Sequence, residues 1–204
     1  MKITAVLTVK NEGAFLLEWL AHHRACGVTD FLVFSNDCSD GTDAMLDRLQ
    51  AMGWLTHVPN PGPYPQGPQW AALKQADAHP LVRGADWLLP IDVDEFVNVH
   101  VGDRTIPALL AALPEATAIP LTWRLFGNAG VRGIEDRRVT ESFTRASRMT
   151  EYTPVPAMVA GPVAEGARDC FTVPWWSRAN SGQPLRSNQD YSTVPNLLPA
   201  SYAR

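Results

Sequence analysis

The chain has 204 residues, a length that suits one domain with an appendage and leaves no room for two full domains of ordinary size. Hydrophobic residues make up 46% and charged residues 19%, enough to bury a core, so neither wholesale disorder nor a collagen-like repeat fits. With 17 basic and 21 acidic side chains the formal charge is −4, which gives no electrostatic footprint for DNA or RNA, and no nucleic-acid partner is expected.

Ile3 to Val9 is a short apolar and β-branched run that predicts a buried strand. After Lys10-Asn11-Glu12-Gly13, the positions Phe15, Leu16, Trp19 and Leu20 recur at helical spacing, and Gly27 marks a stop, so a helix is expected over 14–26. Phe31 to Phe34 predicts a second strand, ending in the polar turn Ser35 to Thr42. Met45, Leu46, Leu49 and Met52 give a second helix closed by Gly53, and Leu55 to Val58 can supply a third strand. Five prolines between Pro59 and Pro68 forbid a regular element and predict a stiff surface loop.

A helix follows from Gln69 to Ala78, then a strand over Trp87 to Ile91, in which Pro90 removes a ladder donor and should sit at a bulge or an unpaired position. Thr105 can cap a helix with Pro107 in its first turn, running through Leu109, Leu110 and Leu113, and Ile119 to Phe126 predicts another strand. Strands alternating with helices imply an α/β fold with a mostly parallel sheet flanked by helices, occupying 1–145. The remaining 146–204 read as an irregular tail: from Pro154 onward there are seven prolines and no lysine or histidine.

Cys26, Cys38 and Cys170 are odd in number and widely spaced, unlike a zinc site or a secreted disulfide framework, and point to a reducing, cytoplasmic setting. No apolar run approaches the roughly 20 residues of a transmembrane helix. Any membrane association would be peripheral.

In an open α/β sheet, ligands bind beyond the carboxyl ends of the strands. Three polar segments fall there and nominate one site: Lys10-Asn11-Glu12, Asn36 to Thr42, and Asp92-Val93-Asp94-Glu95. If the pleat continues past Ile91, Asp92 and Asp94 share a face. At about 4 Å and an effective dielectric near 20, their repulsion would be on the order of 4 kcal/mol, a conflict that Mn2+ or Mg2+ resolves with oxygen ligands. The loop 36–42 looks superficially like a calcium loop, but Cys38 stands where an oxygen ligand is needed. Helix capping by Ser39, Asp40 or Thr42 is the expected role there, leaving Asp37 available to a base or ribose.

These segments resemble family 2-like glycosyltransferases of the GT-A fold, in the branch carrying an Asp-x-Asp-Glu-Phe signature. The residues that carry the resemblance are Thr8 to Glu12, Asn36 to Thr42, Asp86 to Phe96 and, more weakly, Trp123 to Gly130. It implies a metal-dependent transferase that takes a sugar from a nucleotide diphosphate donor and passes it to a glycan, lipid or protein acceptor. Lys10, Asn11, Glu12 and Asp37 would hold the nucleoside, Gln69 would line the nucleotide side, Asp94 would bind the metal, and Asp92 would lie by the ribose or the metal's waters. A carboxylate must also accept the acceptor hydroxyl's proton, and the spacing does not choose among Glu135, Asp136 and Glu141.

The branch usually continues with a basic strand and a late histidine, whereas here the last lysine is Lys74 and the last histidine His100. A truncated or divergent C-terminal region with impaired catalysis is therefore expected. His100 is the nearest substitute ligand, and packing or dipole contact is the expected role of His22 and His23. Two other readings stay open: a noncatalytic nucleotide- or glycan-binding derivative, and a phosphatase with Asp92 as nucleophile and Asp94 as acid, against which Phe96 counts.

Overall fold

The computed structural model describes residues 1–122, 124–128, 130–133, 136–146 and the backbone of 154–160. In chain order the elements are β1 (Ile3–Val9), α1 (Gly13–Ala25), β2 (Asp30–Ser35), α2 (Thr42–Ala51), β3 (Thr56–Pro59), α3 (Pro68–Ala78) and α4 (Pro80–Arg83). Then come β4 (Trp87–Pro90), α5 (Ile106–Ala112), β5 (Ala118–Thr122), α6 (Val139–Ser142) and β6 (Pro154–Ala160). The sheet order is β3-β2-β1-β4-β6-β5, with β3, β2, β1 and β4 mutually parallel and β6 antiparallel to both of its neighbours.

Strand alternation sorts the core into two layers. Ile3, Ala5, Leu7 and Val9 of β1 join Phe31, Val33 and Leu89 under Leu16, Trp19 and Leu20 of α1, Leu46 and Leu49 of α2, and Ile106 and Leu110 of α5. Val6, Leu32, Phe34 and Leu88 point the other way, against Ala72, Leu73 and Ala76 of α3 and Val82 of α4. β1 is therefore covered on both faces, which explains its near-continuous apolar sequence. Each such aliphatic side chain contributes about 1.5–3 kcal/mol on burial.

Gly27 adopts a φ of +100° after α1, and a Cβ there would lie 2.7 Å from Pro107 Cδ; only glycine lets α1 end against the start of α5. Thr105 caps α5 as predicted, its hydroxyl accepting the Ala108 amide at 3.3 Å. At α2, by contrast, left-handed Gly41 holds the cap position, while Asp40 accepts the Thr42 amide at 2.9 Å.

Three differences from the sequence expectations have physical causes. β5 is shorter than predicted and ends at Thr122, with Phe126 making only an isolated bridge to Ala146. Within the stretch read as an irregular tail, Pro154–Ala160 forms β6 and slots between β4 and β5. Its pairing is long-range and antiparallel, and local spacing carries no sign of it. Third, β4 stops at Pro90 and Asp92 to Glu95 form a turn, not a continued pleat. The amides of Trp87 and Ile91 donate to Lys2 and Val6 on the β1 side, so the Pro90 nitrogen faces β6, beyond the last registered pair, Leu88–Val159. Pro90 thus occupies the unpaired position expected of it. No helix among the described residues is long and apolar enough to cross a membrane.

Candidate functional site

The tips of β1, β2 and β4 meet at the carboxyl edge of the parallel strands, where the loops that follow them are cross-linked by side chains. Asn11 (φ +58°) and Asp37 (φ +48°) are left-handed non-glycine residues, a conformation that Asn and Asp tolerate best and that gathers at functional loops. Asn11 Oδ1 accepts the Ser39 amide at 2.7 Å, and the Thr42 hydroxyl accepts the Glu12 amide at 3.0 Å, so the first two strand tips are tied to each other. Asn11 is thereby committed to holding the loop.

The proline-rich loop supplies a third wall. Buried Asn60 donates to Asn36 Oδ1 at 2.6 Å and to the Pro68 carbonyl at 3.1 Å, and accepts from Gln75 at 2.8 Å. This brings the Tyr64 hydroxyl within 3.0 Å of Asp37 Oδ2 and sets α3 beside β4. Gln69, in the first turn of α3, aims its amide at Asp92 Oδ1 from 3.5 Å. A small cleft runs between Gln69, Leu73, Pro90, Ile91, Asp92 and Glu95.

The acidic turn is closed reciprocally. The Glu95 amide donates to the Asp92 carbonyl, and the Asp92 amide to Glu95 Oε2, both at 3.1 Å. The expected continued pleat is corrected here, because Val93 is buried while half-buried Asp92 and exposed Asp94 flank it in a turn. The two acids still feel one another: burial first, then the charge of Asp94, raises the Asp92 pKa above the ordinary carboxylate value. Glu12 is raised in the same way by burial, then by Asp94 and Asp40, which puts the β1 and β4 tips in one negative field.

The row Trp19, His22 and His23 on α1 also belongs to this construction. The Trp19 indole N–H is shared between the carbonyls of Asp92 (3.0 Å) and Glu95 (2.9 Å). His22 Nε2 donates to the Val97 carbonyl at 2.8 Å, and His23 Nε2 accepts the Val97 amide at 3.3 Å while its Nδ1–H donates to the Trp19 carbonyl at 2.9 Å. Those partners require neutral His23, and its burial, reinforced by His22 and opposed by the bond to Trp19, lowers its pKa to about 4. The sequence pattern offered only packing or dipole contact for the two histidines; an adjacent His pair on a core helix was the available signal.

Lys10 and Asp136 are exposed, as is His100. Glu141 pairs with Arg138, while Glu18 of α1 holds the start of α6 through the Val139 and Thr140 amides. Glu135 and Trp123 lie outside the described residues, as do Cys170 and everything after Ala160. Among the described residues, no three His, Cys, Asp or Glu side chains converge as a ready-made metal cage.

A model of glycosyltransferase family 92 matches residues 7–154. A family 92 protein of Oryza sativa subsp. japonica is 25% identical over 144 residues, covering 67% of this chain and 23% of that protein. One from Ricinus communis is 25% identical over 145 residues, covering 67% of this chain and 25% of that protein. The chain thus spans about a quarter of the length of these curated relatives. Among solved structures, S. aureus TarS 1–349 in complex with UDP aligns with a TM-score of 0.42 and 20% identity, covering 66% of this chain and 38% of that one. Glucosyl-3-phosphoglycerate synthase from Mycobacterium tuberculosis, in complex with Mn2+, UDP and glucosyl-3-phosphoglycerate, aligns at 0.33 and 20%, covering 55% and 39%. These are loose likenesses, and the fold rests on its own strand order. The resemblance to glycosyltransferases seen in the sequence holds, and the family whose model matches is family 92: the chain belongs to glycosyltransferase family 92.

Proposed function

We propose that this chain is the donor-binding part of a transferase that moves a sugar from a nucleotide diphosphate to an acceptor hydroxyl. The observation that carries the reading is the gathering of the β1, β2 and β4 tips, with Glu12, Asp37, Gln69 and Asp92 around them, in a chain of family 92. In this reading Asp37 accepts from the base or ribose, and Lys10, Asn11 and Glu12 of the β1 tip lie beside it at the nucleoside.

A divalent cation, Mn2+ or Mg2+, fits the donor set of the acidic turn. Asp92 and Asp94 offer only oxygens and penalise each other when both are charged, and few further protein ligands suit an ion that keeps waters and takes phosphate oxygens. When bound, the ion would offset the charge that develops on the departing diphosphate. Gln69 orients Asp92, and Asp94 reaches outward toward the phosphates. For the proton of the acceptor hydroxyl, Glu141 is engaged by Arg138, which leaves Asp136 and Glu135 as the proposed bases.

A panel of nucleoside diphosphate sugars, screened by thermal shift with and without Mn2+, tests the reading. At least one donor should stabilise the protein in a Mn2+-dependent way. Asp94→Asn should remove that response and lower turnover at least about 100-fold, with Tm unchanged, because the side chain is exposed. Silence toward every nucleotide would refute the proposal. Release of inorganic phosphate through an acid-stable adduct at Asp92 would instead favour phosphatase chemistry.

A further inference from the structure

The acidic turn has no strand of its own to hold it. β4 ends at Pro90, the registered pairs with β6 stop at Leu88, the Ile91 amide makes the last bond to β1, at Val6, and the stretch 92–99 lies outside any strand. Beyond the bonds that Asp92 and Glu95 exchange within the turn, its backbone is anchored by α1. Trp19, His22 and His23 stand at i, i+3 and i+4, the spacing that puts three side chains on one helix face. Between them they satisfy the carbonyls of Asp92 and Glu95 and both polar backbone groups of Val97. Phe96 packs against both imidazoles, 5.2 Å from the His22 ring and 6.0 Å from that of His23. Trp19 and His23 are fully buried, so these bonds are made away from competing water.

We infer that Trp19, His22 and His23 are positioning residues for the cation-binding turn: they set the backbone from which Asp92 and Asp94 project, without touching the ion or the donor. The inference rests on the proposed function, since it concerns the same turn. Outer-shell partners that orient metal ligands typically govern affinity by 10–100-fold, through geometry alone. Here the contact goes to the backbone of the ligand-bearing turn, so the effect should be read in ion affinity as well as in folding.

The test is calorimetric titration of the full chain with Mn2+ alone, with melting temperatures recorded alongside. Trp19→Phe keeps an aromatic ring but loses the shared N–H. His22→Leu, at a half-buried position that tolerates change, loses the donor to Val97, and His22→Gln restores one. Leu20→Ala, on the same helix and in the same core but with no polar side-chain atom to bond the turn, serves as the comparator for lost stability. Trp19→Phe and His22→Leu should weaken Mn2+ binding about tenfold, His22→Gln should recover most of it, and Leu20→Ala should lower Tm with Mn2+ affinity within about twofold of wild type. If His22→Leu and Trp19→Phe bind Mn2+ as tightly as wild type, or only in proportion to their loss of Tm as Leu20→Ala does, the positioning role is refuted while the functional proposal stands. If wild type binds no Mn2+, the cation reading and this inference fall together.

Discussion

The crevice at the β1, β2 and β4 tips and the downstream segment 124–146 are built by opposite means. In the crevice every loop is held by a side chain from a different element: Asn11 by the β2 loop, Asn60 by Asn36 and Gln75, and the acidic turn by Trp19 and the two histidines. Asn36, Asn60, Trp19 and His23 among those anchors are buried. Among the described residues, the downstream segment is joined to the rest by Glu18 bonds at the surface and closed on itself by an isolated Phe126–Ala146 bridge, and Leu125 and Phe126 stay more than half exposed. The crevice is set largely by the core, whereas the downstream segment is attached from outside.

The sharpest way to break this contrast is Trp19→Ala. It empties a fully buried site and strips the indole donor from two carbonyls, so a loss of about 3–5 kcal/mol is expected in urea unfolding. A loss below about 1 kcal/mol would mean that the turn is not held by the core.

His23 gives the next largest effect. Its pKa is about 4 in the fold against an ordinary 6.5, so between those values the unfolded chain takes up a proton that the native state refuses. Stability should therefore fall by about 3 kcal/mol as pH drops from 6.5 to 4, and level off below. His23→Gln should flatten that part of the profile.

A smaller effect of opposite sign is expected from Asp92→Asn. Burial and Asp94 raise the Asp92 pKa, so its charged form costs stability at neutral pH, and the amide should gain about 2 °C in Tm while losing Mn2+ binding. Smallest of all is Glu18→Gln. Partial burial works against its charge, but bonds from Thr140 and Val139 hold Glu18 below the usual carboxylate range. At a half-buried position on the rim of the fold the global cost should stay within about 0.5 kcal/mol. Hydrogen exchange at Val139 and Thr140 should nevertheless quicken, by about tenfold.

The parallel half of the fold is legible in the sequence because its signals are local. The run Ile3–Val9, the helical row Leu16–Trp19–Leu20 and the polar strand ends each speak within a few residues, and together they mark out the donor crevice. What escapes has its cause far along the chain. β6 finds its place only by antiparallel pairing with β4 and β5. The turn at 92–95 replaces the expected pleat because the Glu95 carboxylate folds back on the Asp92 amide. Tyr64 reaches Asp37 only because buried Asn60 fixes the proline loop. The three positioning side chains of α1 follow the same periodicity as any core-facing residues, and pattern alone gives packing where the structure gives hydrogen bonds.

The seam between β4 and β6 has a mechanical consequence. β1 and β2 are joined along six residue pairs, β4 and β6 along two, and the proline nitrogen just past them has no hydrogen to extend the ladder. The sheet is thus two plates joined by a short weld, with the open end of the joint beside the acidic turn. A load that pries the plates apart would concentrate there first, at the two pairs of β4 with β6, before it reached the six pairs of β1 with β2.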